Sequence, residues 1–116
     1  MVHQELGPFL NEYMYQDALQ IVLEEQHINH QKEYYFSIDF HGKKIQHKHY
    51  VDFFCRDNVY IECKAVETLL PNHRQQLWNY MRLTNVQIGI LWNFAPVHDQ
   101  CEHYYLDTAT QQMYAF

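Results

Sequence analysis

Val51-Asp52-Phe53-Phe54-Cys55-Arg56-Asp57-Asn58-Val59-Tyr60-Ile61-Glu62-Cys63-Lys64 reads as two apolar runs joined by a polar turn. Alternate side chains of a strand share a face, so Glu62 and Lys64 point one way and Cys63 the other. For Asp52 to join Glu62, the two must stand opposite each other across the hairpin, which requires an odd loop. A two-residue Asp57-Asn58 turn would set Asp52 opposite Cys63, on the wrong face. A three-residue loop, Arg56-Asp57-Asn58 with Asn58 left-handed, pairs Phe54 with Tyr60 and Asp52 with Glu62, and is the loop expected. The default for a lone Glu-x-Lys is a solvated surface pair. These charges instead sit among Phe53, Phe54, Tyr60 and Ile61, where a charge needs a partner or a metal. Two carboxylates beside one ammonium can hold a hard divalent cation and an activated water next to a phosphate.

Outward from this hairpin, 116 residues leave room for one domain over 1–116, not two. Ten Tyr and seven Phe against three Gly favour a sheet-rich core with few tight turns. No apolar run is long enough to cross a membrane. The three cysteines, Cys55, Cys63 and Cys101, are odd in number and scattered, so neither a disulfide framework nor a four-cysteine metal site is expected. A reducing, cytoplasmic setting follows as the expectation.

A net charge of −6 argues against sequence-blind affinity for nucleic acid, but its distribution matters. All eight Lys and Arg fall between Lys32 and Arg82, a stretch with six acids, while both ends are acidic. A polyanion would have to approach through the middle.

His3 to Gln26 has apolar residues at spacings of three and four and reads as helix. Gly7-Pro8 interrupts it, so either two short helices meet there or one long helix begins near Phe9. Glu12 either faces the sheet or is a solvated surface carboxylate, which by itself is the default. Asn29 to Phe40 alternates, with Tyr34, Phe36, Ile38 and Phe40 on one face, and reads as a strand. His41 to Lys44 reads as a turn and Ile45 to Cys55 as the next strand, followed by Val59 to Ala65. Asn72 to Leu83 reads as helix, packing through Leu77, Trp78 and Met81 and placing His73, Gln76 and Tyr80 on one stripe. Val86 to Phe94 is an apolar strand, Ala95 to Gln100 a loop, and His103 to Leu106 a last strand. The order is α-β-β-β-α-β-(β), a mixed sheet with helices packed on it.

Nine His invite a zinc reading, through His47 and His49 on one strand or His27 and His30 at a helix end. Neither set completes a four-ligand pattern, and hydrogen-bonded or exposed imidazoles are favoured. Ser37 is the sole Ser, Cys63 points away from the acid face, and there is no glycine-rich phosphate loop.

Asp52, then Glu62-Cys63-Lys64, set after one helix and before another, resembles the PD-(D/E)xK nuclease superfamily, and in particular the family named for its GxxExxY motif. The similarity runs through HQELGP (3–8), EYMYQDAL (12–19), the hairpin, KAVE (64–67), HRQQLWNYMRLT (73–84) and IGILWNF (88–94). Gln76 and Tyr80 also match the QxxxY element of RecB-like nucleases. Phe9 stands where the motif has its first Gly, and Val51 where the PD dyad has Pro. That family has more helix before the Val2-His3 that opens this chain, so a shortened first helix is expected. The four cysteines of the iron–sulfur branch are absent, so no cluster is implied.

The resemblance implies a restriction-endonuclease-like αβββαβ core in the α/β class. It also implies Mg²⁺ or Mn²⁺ held by Asp52, Glu62, the Cys63 carbonyl and Glu12. Lys64 would orient or deprotonate the attacking water, and Gln76 and Tyr80 would position phosphate or water, with His73 a weaker candidate on their stripe. Hydrolysis of DNA, and RNA second, is the expected activity. The alternative is a binding or assembly module that keeps the fold without turnover. Nucleic acid is the expected partner, with no membrane; the aromatic surface suggests a homodimer, and the binding-module alternative a protein partner.

Overall fold

The computed structural model describes residues 1–46 and 48–116. Two helices open the chain, α1 (Val2–Leu6) and α2 (Glu12–Glu25), so the Gly7-Pro8 interruption separates two helices. Asn11 starts α2 by accepting the Met14 N–H on its side-chain oxygen at 3.0 Å. The helix ends in a Schellman motif: His27 takes a left-handed φ of 54°, and the Ile28 N–H reaches the Leu23 carbonyl at 2.9 Å.

Six strands form one sheet in the order β1-β4-β5-β6-β7-β8. They are β1 (His30–Phe36), β4 (His49–Cys55), β5 (Val59–Lys64), β6 (Ile88–Asn93), β7 (Gln100–Asp107) and β8 (Gln112–Ala115). Between β1 and β4, β2 (Asp39–Phe40) and β3 (Lys43–Lys44) pair as a separate hairpin. The expected strand from Asn29 to Phe40 is therefore too long. It ends at Phe36, and the chain leaves the sheet before returning at His49 rather than Ile45. The turn expected over 41–44 narrows to His41-Gly42. β8 follows a turn that Asp107 closes by accepting the Ala109 N–H at 3.0 Å; sequence patterning had marked no strand there.

β5 and β6 run parallel, and α3 (Pro71–Thr84) is the crossover between them. The element order α2-β1-β4-β5-α3-β6 is the αβββαβ core, a mixed sheet flanked by helices. Two hydrophobic cores lie on the sheet's opposite faces. Tyr15, Leu19 and Leu23 of α2 pack on Phe53, Ile61 and Cys63, while Leu77 and Met81 of α3 pack on Tyr60, Leu91 and Leu106. Neighbours Tyr60 and Ile61 thus serve different cores, as strand alternation demands. Gly89 of β6 lets α3 approach: a Cβ there would come within 2.4 Å of Met81 Sδ and 3.2 Å of Leu77.

Tyr15 is fully buried and stacks on Phe94 with ring centroids 5.0 Å apart. Its hydroxyl donates to the Gly7 carbonyl at 2.6 Å and accepts the Leu10 N–H at 3.1 Å, tying down the link from α1 to α2. Tyr15→Phe leaves both backbone groups without that partner. The expected loss is about 1–3 kcal/mol of unfolding free energy, together with faster hydrogen exchange at Leu10. Denaturant melts and amide exchange measure both.

Candidate active site

The β4–β5 hairpin has the expected three-residue connection, with Phe54 opposite Tyr60 and Cys55 opposite Val59. The left-handed residues are Arg56 (φ 52°) and Asp57 (φ 59°), not Asn58. The Asn58 N–H closes back on the Cys55 carbonyl at 3.1 Å, so Arg56 and Asp57 form the centre of a type I′-like turn. Asn58 is the extra residue. This turn follows the twist of the strands better than a single left-handed residue at its end.

Beyond the Phe53–Ile61 pair the ladder opens, although β4 and β5 both continue. Two carboxylates take over the backbone groups freed there. Glu62 Oε1 accepts the Asp52 N–H at 3.2 Å, and Asp52 Oδ2 accepts the Cys63 N–H at 2.8 Å. Asp52 and Glu62 therefore face each other in the register read from the sequence, but through side chains. Both are buried, each 7 % exposed. Asp52 Oδ1 and Glu62 Oε2 have no hydrogen-bond partner among the described residues. On the other side of β4, Glu33 of β1 takes a left-handed φ of 52°, and pairing skips it between Lys32–Phe53 and Tyr34–Val51. Phe53 packs beneath α2, whereas Val51 and Tyr34 pack with α3. The alternation of the sheet breaks at Asp52.

Glu12, Asp52, Glu62, Lys64, Gln76 and Tyr80 all line one cleft of about 220 Å³. Glu12, in the first turn of α2, is half-buried and receives a hydrogen bond from the buried Gln16 at 3.3 Å. On α3, Gln76 Nε2 donates to the Tyr80 hydroxyl at 3.3 Å. Lys64 has no carboxylate within 4.0 Å among the described residues, so its ammonium is left free toward the cleft. Lys48, His49 and Tyr50 line the cleft as well. Sequence reasoning did not place them there; the basic and aromatic run ahead of Asp52 was the available signal. His73 is not among the lining residues. It accepts the Leu70 N–H on Nδ1 at 3.0 Å and so caps the start of α3.

The electrostatics match the crowding. Burial and then the Asp52 charge push Glu62 up to about 8, with Lys64 pulling the other way. Burial also raises Asp52, opposed by the Cys63 N–H bond and Lys64. Burial and the Asp52 charge raise Glu12. The three carboxyls repel one another in a space that disfavours their charge. A cation would relieve that.

The donors converging here are hard carboxylate oxygens, which suit Mg²⁺ or Mn²⁺. The Cys63 thiol belongs to the core beneath α2, and burial raises it well above the usual thiol range. Among the described residues no group of three or more His, Cys, Asp and Glu side chains stands ready-made around an ion position. Of the histidines weighed for zinc, His47 lies outside the described residues, and His30 Nδ1 bonds the Ile28 carbonyl at 2.8 Å.

The chain after Lys64 is held by Asn93, fully buried at the end of β6. Its side chain accepts the Val66 N–H at 3.0 Å and donates to the Val66 carbonyl at 2.9 Å and to Gln100 at 3.0 Å. Asn93→Leu keeps the forked shape of the side chain, though it is bulkier, and orphans both polar groups of Val66. It is expected to cost about 2–4 kcal/mol and to loosen the segment behind Lys64, as thermal melts and amide exchange at Val66 will show.

Residues 1–104 match the sequence profile of the PD-(D/E)XK nuclease superfamily. The chain belongs to this superfamily. Within the solved structures, the crystal structure of SSO0001 is similar, with 26% sequence identity and a TM-score of 0.64 over 85% of this chain and 53% of that one. This PD-(D/E)XK chain thus spans about half the length of the SSO0001 chain. No curated protein matches it. No described helix is long and apolar enough to cross a membrane.

Proposed function

We propose that this chain is a divalent-metal-dependent nuclease that hydrolyses phosphodiester bonds, in DNA by preference over RNA, and that it falls in the GxxExxY branch of its superfamily. One observation carries the reading. Two buried carboxylates on neighbouring strands meet at a break in the ladder, with a free ammonium two residues on and a third carboxylate from α2 in the same cleft.

In this reading Asp52, Glu62 and the Cys63 carbonyl hold Mg²⁺ or Mn²⁺, and Glu12 joins directly or through water. The bound ion supplies Lewis-acid polarisation of the phosphate and a water of lowered pKa. Asp52 and Glu62 are held for this by the backbone N–H groups they accept, which limits their freedom to rotate. As the ammonium, Lys64 orients the water and offsets negative charge growing on the phosphoryl oxygens; to take the water's proton it must first give up its own and act as the neutral amine. Gln76 and Tyr80, tied to each other on α3, position the phosphate from the opposite wall.

The net charge of −6 favours a second reading, a binding or assembly module that keeps the fold without turnover. Incubating the purified protein with single- and double-stranded DNA and RNA, in Mg²⁺, Mn²⁺ or EDTA, separates the two. Metal-dependent cutting supports the nuclease. Folded protein that binds nucleic acid or a protein partner and cuts nothing supports the module.

A further inference from the structure

Beside the catalytic cleft lies a larger groove of about 300 Å³, lined by Tyr35, Lys44 and Lys48 among others. Lys48 lines both, so the two adjoin. Tyr35 and Tyr50 stand opposite each other on β1 and β4, their rings 5.2 Å apart and both about half exposed. From the rim of this groove projects the β2–β3 hairpin. It carries Lys43 and Lys44 against one acid, Asp39, and its Phe40 is 64 % exposed. The Phe40 ring stacks on His41 at 4.2 Å and contributes to neither core.

On this surface of an acidic chain, lysines stand among exposed aromatic rings. Exposed rings gain little from a duplex, whose bases are already stacked on each other. An unpaired base offers a free π-face, and stacking it on an aromatic side chain is sequence-tolerant. The lysines meet the backbone phosphates.

We propose that the β2–β3 hairpin and the Tyr35–Tyr50 pair form a holding track for a single-stranded polynucleotide, which they feed into the cleft. Phe40, Tyr35 and Tyr50 stack unpaired bases while Lys43, Lys44 and Lys48 follow the backbone. The track rests on the nuclease reading for its purpose, but not for its ability to bind. It also explains how a chain of net charge −6 engages a polyanion: the contact is local, and of the acids of the two chain ends Glu12 alone lines the cleft.

Fluorescence anisotropy with a labelled oligothymidylate and a duplex of equal length, in EDTA so that neither is cut, tests the track. The single strand is expected to bind at least about tenfold tighter than the duplex. Phe40→Ala and Tyr35→Ala should each weaken single-strand binding about five- to 150-fold, and Phe40→Trp should retain it. Lys43→Gln with Lys44→Gln should reduce the slope of log K against log salt by about 1.4, as expected for two lost single-strand phosphate contacts. Equal binding of the duplex, or wild-type affinity in both alanine variants, overturns the proposal. Hydrolysis of bis(p-nitrophenyl) phosphate with Mn²⁺, which needs no track, should be unchanged in these variants. If the wild type fails to hydrolyse that ester yet the variants lose single-strand binding, the track stands and the nuclease reading falls.

Discussion

Lys64→Ala is expected to lower metal-dependent cleavage by about 10²–10⁴-fold while leaving the fold intact. Lys64 is only partly buried and, among the described residues, makes no ion pair within 4.0 Å, so the fold does not depend on it, although its charge offsets the Glu12, Asp52 and Glu62 carboxyls. Its removal should lower unfolding free energy at neutral pH by about 1 kcal/mol. Substrate binding in EDTA should also persist, since the track lies outside the cleft's acidic centre. Lys64→Arg then separates two roles. Guanidinium keeps the charge but does not release its proton near neutral pH. Activity retained in Lys64→Arg would assign charge stabilisation, and activity lost in both variants would assign proton transfer. Cleavage unaffected by Lys64→Ala would remove Lys64 from the mechanism.

Glu62→Gln is expected to destroy cleavage and yet stabilise the metal-free protein. The folded state holds Glu62 at about 8, against an ordinary value of 4.5. Between those limits the folded chain binds more protons than the unfolded one, so stability falls as pH rises across that window. The full cost, in the absence of metal, is present above about pH 8. Gln keeps an oxygen for the Asp52 N–H and removes the ionisation. A gain of about 1–3 kcal/mol, or roughly 4–15 °C in melting temperature, should appear at pH 8.5 and fade as the pH falls through 4.5, below which Glu62 is protonated in both states. Mg²⁺ or Mn²⁺ should raise the melting temperature of the wild type and not of the variant. For the wild type, ion binding must displace the Glu62 proton, so apparent affinity should rise about tenfold per pH unit below 8. Melting curves with and without EDTA across pH measure all of this. A variant no more stable than wild type at pH 8.5 would mean that Glu62 carries no such strain.

The stability expected from Glu62→Gln illustrates why the site is built as it is. Asp52 and Glu62 could have been separated by one residue of register and solvated on opposite faces. Instead the hairpin aligns them, the ladder opens, and their own oxygens close the gap. The result is a pair of carboxylates that a proton or a cation must neutralise.

The sequence by itself determined the parts that depend on local spacing. Strand alternation alone puts Glu62 and Lys64 on one face, and an odd loop alone brings Asp52 opposite Glu62. The helical period likewise puts Gln76 and Tyr80 on one stripe. Periods of 2.0 and 3.6 residues are properties of the backbone and can be read without knowing what packs where. The αβββαβ order followed from the same counting.

Tertiary structure decided the rest. Glu12 is forty residues from Asp52, and what carries it to the cleft is the packing of α2 through Tyr15, Leu19 and Leu23, with Gln16 holding its carboxylate. A helix that merely reads as amphipathic does not reveal which turn lies over which strand. The opening of the ladder at Asp52 was equally hidden, because it depends on side chains replacing backbone partners across two strands. The run from Asn29 to Phe40 alternates as a long strand would, yet beyond Phe36 it has no neighbour in the sheet, and an unpaired strand is not stable. That segment folds back as the β2–β3 hairpin, which sets Lys44 and Lys48 beside the cleft. Spacing along the chain fixes which side chains share a face. Only long-range packing fixes which faces meet, because burial is gained between elements far apart in sequence and no local period encodes it.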